Sequence, residues 1–127
     1  MKKRKGNIDK KLDVAWSKLV KLRANMKCEM TGCIFKPTLN SHHIFSRANK
    51  STRWDVENGI SLCVSHHLWN KKISAHAAAI AFTYWLEEYK GSDFIDALSY
   101  KAHQTKKWTI AEKEELLQEL NDEINSY

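Results

Sequence analysis

The sequence has no long apolar run, one proline and only four glycines in 127 residues. A membrane-spanning helix needs about 20 predominantly apolar residues, and no segment approaches that length, so we expect no membrane partner. The basic residues 1–5 are not followed by the apolar segment of a secretory signal. We therefore expect a cytoplasmic protein that forms a single domain over residues 1–127, since the chain is short for two.

Cysteine is scarce as well. The three cysteines cannot all pair with one another, and disulfides are not expected in a reducing cytosol. All three lie within residues 28–63, close to several histidines. Cysteines at short spacing mixed with histidines indicate metal ligands rather than a disulfide framework.

Helical patterning dominates both ends of the chain. Apolar residues recur at helical spacing over residues 9–27, and the basic residues 1–8 before them are predicted to form a flexible arm. Residues 74–127 are predicted to form the helical C-terminal part. Its expected boundary residues are two N-caps and one stop: Ser74, Thr109 in a capping box, and Gly91.

The central residues 28–73 are predicted to be a small mixed core. Gly32 suits a tight turn, and a short helix is expected from Ser65. Short β-prone segments occur at 33–35, 43–45 and 60–62. The fold class is therefore α+β, with the central core flanked by an N-terminal helix and C-terminal helices.

The cysteines fit a structural zinc site together with one histidine. Such a site takes four sulfur or nitrogen ligands in a tetrahedron. Cys28 and Cys33 form a knuckle whose spacing is looser than the usual one but tolerated. Cys63 ends a predicted strand and His66 lies on the first turn of the next helix, so the predicted zinc set is Cys3His.

Within residues 28–67, three histidines then remain without a role: His42, His43 and His67. A purely structural zinc finger does not need them. A hydrolytic metal site does, because it needs a base to activate water and ligands for a divalent ion. Each feature alone has an ordinary explanation, such as a solvent-facing loop for the His-His pair and a turn for Asn58-Gly59.

Residues 28–67 resemble the HNH, or His-Me finger, endonuclease family. A weaker similarity outside this range, at residues 74–76, at Phe82 and Trp85, and at residues 107–109, is to the small phage-encoded members of the family. The resemblance rests on three segments: His42-His43-Ile44, Asn58 to Cys63, and Cys63 to His67. It implies a ββα-metal finger with a treble-clef-like zinc knuckle that hydrolyses DNA phosphodiester bonds. For a phage-encoded protein it also implies a bacterial host cell as the location.

The resemblance further implies a role for each motif residue. His42 and His67 are expected to bind a catalytic divalent ion, which is Mg²⁺, Mn²⁺, Ni²⁺ or Zn²⁺. His43 is expected to be the general base that activates water. Asn58 is expected to pin the loop and to orient His43.

The sequence departs from the family pattern at His66, where a cysteine is usual. The roles of His66 and His67 can therefore be exchanged, although neighbouring helix positions point about 100° apart and cannot face one metal. Many members carry a third histidine ligand where this chain has Lys71. His76 is the alternative third ligand, and its reading as an exposed histidine at a helix start stays open.

The charge of the chain favours a polyanionic partner. Its formal net charge is +6, and neutralising phosphates with basic side chains releases counterions. We expect duplex or branched DNA as the partner. The candidate backbone contacts are Arg47, Arg53, Lys71 and Lys72.

Two other functions explain part of the pattern. A zinc-containing nucleic-acid-binding module without catalysis accounts for the zinc ligands but leaves His42, His43 and His67 unused. A protein-interaction module with a zinc-stapled core makes the charge asymmetry of the chain incidental.

Overall fold

The computed structural model describes residues 2–30, 33 and 38–127, and the side chains of all of these except residues 2–6 and 69. The turn predicted at Gly32 and most of the β-prone segment 33–35 lie outside the described residues. In the described ranges, no helix combines the length and the apolar character that crossing a bilayer requires.

Helix α1 spans Lys2–Arg23 and carries the larger part of one core. It begins earlier than the expected start at Asp9, so residues 2–8 are helical rather than a flexible arm. The reason is Ile8, which continues the apolar face and packs against the same core cluster. After Arg23 the chain turns sharply through Asn25 and Met26, which both have a φ of 55°.

Strands β1 (Leu39–His43) and β2 (Gly59–Cys63) form an antiparallel two-stranded sheet. Leu39 lies opposite Cys63 and His43 lies opposite Gly59. An isolated pair of strands is marginally stable, and this one gains its support by packing on α1. The approach is so close that a Cβ on Gly59 would lie 2.3 Å from Val20 Cγ2, so this position requires glycine.

A single π-type turn, Ser65–Trp69, follows β2 where a short helix was expected. Ser74 does accept a hydrogen bond from the Ala77 amide, but a helix starts only at Ala79, later than predicted. The remaining helices are α2 (Ala79–Lys90), α3 (Ser92–Ala102) and α4 (Ile110–Asn125). Gly91, at a φ of 88°, ends α2, and Thr109 forms the predicted capping box with Glu112.

Two apolar clusters hold the elements together, and the α+β class is confirmed. One cluster joins α1 to α4 and to the loop after β1 through Trp16, Leu19, Trp54 and Leu120. The other surrounds the cysteines and joins β2 to α2 through Leu62, Phe82 and Leu86. Residues of the loop 44–58 pack in both clusters, Ile44 in the one around the cysteines and Trp54 and Val56 in the other.

Candidate functional site

The four predicted zinc ligands come together at one point. Cys28, Cys33, Cys63 and His66 each offer a ligand atom within 4.8 Å of the others. The Sγ atoms of Cys33 and Cys63 lie 3.8 Å apart, and His66 Nδ1 lies 3.4 Å from Cys28 Sγ and 3.3 Å from Cys63 Sγ. Tetrahedral zinc, with bonds of about 2.3 Å to sulfur and about 2.1 Å to nitrogen, separates two sulfurs by about 3.8 Å and sulfur from nitrogen by about 3.6 Å. The cluster can therefore hold a zinc ion.

Backbone contacts bring these ligands together from distant elements. The amide of Glu29 donates to the Ser61 carbonyl, and the Glu29 carboxylate accepts from the Ser61 amide, so the residues after α1 run beside β2. The Cys33 amide donates to the Met30 carbonyl, which holds Cys33 close to Met30. The three thiols form no disulfide.

The electrostatics of the sulfur cluster disfavour a thiolate unless a cation is bound. Burial raises the pKa of the Cys28 thiol above its ordinary value, because a buried thiolate is poorly solvated. A zinc ion reverses this preference, since it binds the thiolate and not the thiol.

A second cluster of potential ligands consists of His42, His67 and His76, whose ligand atoms also lie within 4.8 Å of one another. The Nε2 atoms of His67 and His76 are 3.0 Å apart. Two nitrogens bound about 2.1 Å from one ion at a right angle are separated by about 3.0 Å. The three side chains therefore fit a common divalent ion.

The turn after β2 separates the two clusters and recruits His76. The Ala75 amide donates to the His66 carbonyl, and the His76 amide donates to the His67 carbonyl. Because these amides bond to the preceding turn, no helix begins at Ser74. The same bonds bring His76 beside His67. His66 faces the cysteines whereas His67 faces His42 and His76, which assigns the two neighbouring histidines to different clusters.

Two imidazoles of the second cluster, those of His42 and His67, are held neutral. Burial lowers the pKa of His42 to about 3, and the nearby His67 and His76 add to the shift. Burial likewise lowers the pKa of His67 below its ordinary value. The buried Nδ1 atom of His67 has no hydrogen-bond partner among the residues described. Neutral imidazole is the form that binds a metal ion.

His43 lies at the end of β1 and is fixed by two contacts. Its Nε2 lies 3.0 Å from the Arg53 carbonyl oxygen, which can only accept, so Nε2 carries the proton and the neutral ring has its lone pair on Nδ1. Its ring stacks on the indole of Trp16, with centroids 3.8 Å apart and planes inclined by 10°. Burial lowers the pKa of His43 below its ordinary value, which favours the neutral base at pH 7.

Asn58 is fully buried and ties the ends of the loop together. Its Oδ1 accepts from the Phe45 amide at 2.8 Å, and its Nδ2 donates to the carbonyls of Phe45 and Thr52 at 3.0 and 3.1 Å. Phe45 follows β1 by two residues, and Thr52 precedes Arg53, whose carbonyl holds His43. The side chain is thus placed to orient His43 through the backbone.

The four predicted phosphate-binding residues have different surroundings. Arg53 forms a bidentate ion pair with Asp13, at 3.1 and 2.8 Å, which occupies its guanidinium. Arg47 contacts the same carboxylate through one nitrogen at 3.2 Å, and its side chain stays 63% exposed. Lys71 and Lys72 are exposed on the turn after the π-type segment.

Two residues of this site were not singled out by the sequence. Trp16 was assigned only to the apolar face of α1, and Asp13 had no assigned role. Both act across more than 20 positions of sequence, on His43 and on Arg53 respectively. No local spacing signals such contacts. His103 lies far from both clusters in the sequence and is exposed.

The chain matches no family model, no curated protein and no solved structure.

Proposed function

We propose that the protein is a metal-dependent endonuclease of the ββα-metal type that hydrolyses phosphodiester bonds in DNA. The observation that carries the proposal is the presence of two separate ligand clusters beside a histidine with a free ring nitrogen. One cluster suffices to stabilise a small domain. The second cluster, with His43 next to it in the chain, has the composition of a hydrolytic site.

His43 is the general base in this proposal. Its Nδ1 takes a proton from a water molecule as that water attacks the scissile phosphorus, and the resulting imidazolium keeps its Nε2–H bond to the Arg53 carbonyl. The carbonyl dipole favours the protonated ring, and Trp16 prevents the ring from turning away. The Nδ1 lone pair that accepts the proton therefore has a fixed orientation.

His42, His67 and His76 hold the divalent ion. When bound, the ion neutralises negative charge on the phosphate and on the departing oxygen. Neighbouring residues of a strand point to opposite faces, so His42 projects toward α2 while His43 projects toward α1. The substrate phosphate is thus expected to lie across the end of β1, where it reaches both.

Asn58 and the basic side chains position the reacting groups. Asn58 keeps the loop in the conformation in which the Arg53 carbonyl meets His43. Arg47, Lys71 and Lys72 are available for the DNA backbone, whereas Arg53 acts mainly through its carbonyl. Such backbone contacts carry no sequence information, so the proposal includes no recognition sequence.

A nicking assay with two histidine variants tests the proposal. Supercoiled plasmid and a branched DNA would be incubated with zinc-loaded protein and added Mg²⁺, Mn²⁺ or Ni²⁺. His43→Ala is expected to lower the nicking rate by at least about 100-fold, the usual contribution of a general base. His103→Ala serves as the matched control, because His103 is an exposed histidine directly after α3. This variant is expected to nick DNA at the normal rate.

Two results would contradict the proposal. Absence of nicking with every ion and both DNA forms would exclude the activity. Equal nicking by the His43→Ala variant would exclude His43 as the base. DNA binding without any cleavage would instead favour a non-catalytic zinc module.

A further inference from the structure

A cationic cavity of about 330 Å³ lies beside the loop of residues 44–58. None of its lining residues belongs to either ligand cluster. The loop contributes Lys50, Arg53 and Trp54 to its walls, and the chain at the start of α4 contributes Lys107, Trp108 and Lys113. The cavity therefore joins the loop that positions His43 to the C-terminal helix.

The charge of the cavity is positive because its carboxylates are already paired. Asp9 accepts from Lys113 at 2.6 Å, and the Lys113 side chain is only 6% exposed. Arg53 is paired with Asp13. Lys50 and Lys107 are exposed and form no ion pair with any carboxylate in the described part of the chain. Two ammonium groups are thus left without an anion.

The cavity has rigid aromatic walls. The indole rings of Trp54 and Trp108 lie 5.6 Å apart at 65°. The Trp108 Nε1–H donates to the Lys50 carbonyl at 2.9 Å, and the Trp54 Nε1–H donates to Asp13 at 2.8 Å. Apolar walls lower the local dielectric, so an anion held here interacts more strongly with the ammonium groups than on an open surface.

We propose that this cavity binds a backbone phosphate of the DNA at a nucleotide other than the one that is cleaved. Lys50 and Lys107 supply the charge, and Lys113, paired with Asp9, completes the lining. The inference rests on the proposed nuclease function and extends it to a second anchoring point. Arg53 lines the cavity, and its backbone carbonyl accepts the hydrogen bond from His43. A phosphate bound here therefore also holds the catalytic loop in place.

The test measures DNA affinity rather than cleavage. Binding of a fluorescein-labelled duplex to the zinc-loaded full chain is followed by anisotropy over a range of NaCl concentrations, without an added exchangeable ion. Lys50→Gln/Lys107→Gln is expected to weaken binding about tenfold and to lower the slope of log Kd against log salt by about one, since one lost phosphate contact lowers it by about 0.9. Lys27→Gln/Lys90→Gln removes the same charge outside the cavity and is expected to keep the slope.

The outcomes separate this inference from the nuclease proposal. Equal slopes and affinities for the two double variants would overturn the cavity assignment. The nuclease proposal would stand, because the nicking assay tests it separately. Failure of the unaltered chain to bind the duplex would overturn both. Pyrophosphate, followed by the indole N–H signals of Trp54 and Trp108 in NMR, tests a free anion as the occupant. If pyrophosphate shifts these signals while Lys50→Gln/Lys107→Gln binds DNA normally, the cavity serves a free anion and the inference is wrong.

Discussion

His43 owes its orientation to side chains that lie far from it in the sequence. Trp16 stacks on its ring and also donates from Nε1 to the Asp55 carbonyl at 2.8 Å, which anchors the indole to the loop. Asn58 fixes the same loop through its bonds to Phe45 and Thr52. The pair His42-His43 and the position of Asn58 were predicted because they belong to one short motif. Trp16 was missed because a stacking contact between a helix and a strand leaves no local pattern.

Trp16→Phe tests the positioning role of the indole. The phenyl ring removes the Nε1–H bond and part of the cover over His43, so the pKa of His43 is expected to rise toward its ordinary value. A base with a higher pKa is protonated at a higher pH, so the acidic limb of the nicking-rate profile should move to higher pH. Trp85→Phe, in the other apolar cluster, is the control. An unchanged limb in Trp16→Phe would show that Trp16 is only a packing residue.

The elements around the site are held in place by close contacts that the sequence predicts only in part. The capping box of α4 and the stop at Gly91 were predicted, because each depends on residues within one turn. The delayed start of α2 was not, because it follows from the amides of Ala75 and His76 bonding to the preceding π-type turn. That same rearrangement places His76 in the second cluster.

The contact between α1 and β2 is tight enough to be tested by adding one carbon. Gly59→Ala places a Cβ against Val20 and against Trp16 Cζ2, 2.9 Å away, and is expected to lower the free energy of unfolding by about 1–3 kcal/mol. Val20→Ala makes room for the added methyl group. Urea unfolding of both single variants and the double variant should therefore show a double-variant loss smaller than the sum. A strictly additive loss would contradict the steric explanation.

The two ligand clusters should lose their metal independently. Cys28→Ser removes one thiolate from the structural site and is expected to lose zinc and much of the fold, since zinc binding contributes folding energy at such sites. His67→Ala should keep one zinc per chain and lose only the exchangeable ion. Metal content by mass spectrometry, with circular dichroism for the fold, measures both. Loss of the structural zinc in His67→Ala would show that the two clusters are one site.

At the scale of the whole molecule, α1 connects the parts that the proposed reaction needs. One face contacts α4, Trp16 supports His43, and Asp13 holds Arg47 and Arg53. The order of helical and β-prone segments along the sequence predicted the α+β class. It did not predict that one carboxylate would occupy Arg53, because that pair joins positions separated by 40 residues.

Acid should destabilise the folded protein through its buried neutral imidazoles. The pKa of His42 is lowered to about 3 by burial, so the unfolded chain binds a proton below about pH 6.5 that the folded chain does not. The stability from this group is present above pH 6.5 and is lost as the pH falls toward 3. Urea unfolding at pH 6.5 and at pH 4.5 measures the effect. The free energy of unfolding should fall less over this range in His42→Gln than in the unaltered protein, and the difference should be at most about 1.4 kcal/mol per pH unit. If the free energies of unfolding of the two proteins fall in parallel with pH, His42 is readily protonated in the folded protein and the explanation is wrong.

The central claim is that one ligand cluster is structural and the other catalytic, and chelation followed by re-addition of metal tests it most directly. The protein would be dialysed against a mild chelator, its zinc content determined, and plasmid nicking measured before and after adding Mn²⁺. We expect one zinc per chain to remain, nicking to cease, and Mn²⁺ to restore it. Nicking that persists with a single zinc per chain, or that no divalent ion restores, would contradict the claim.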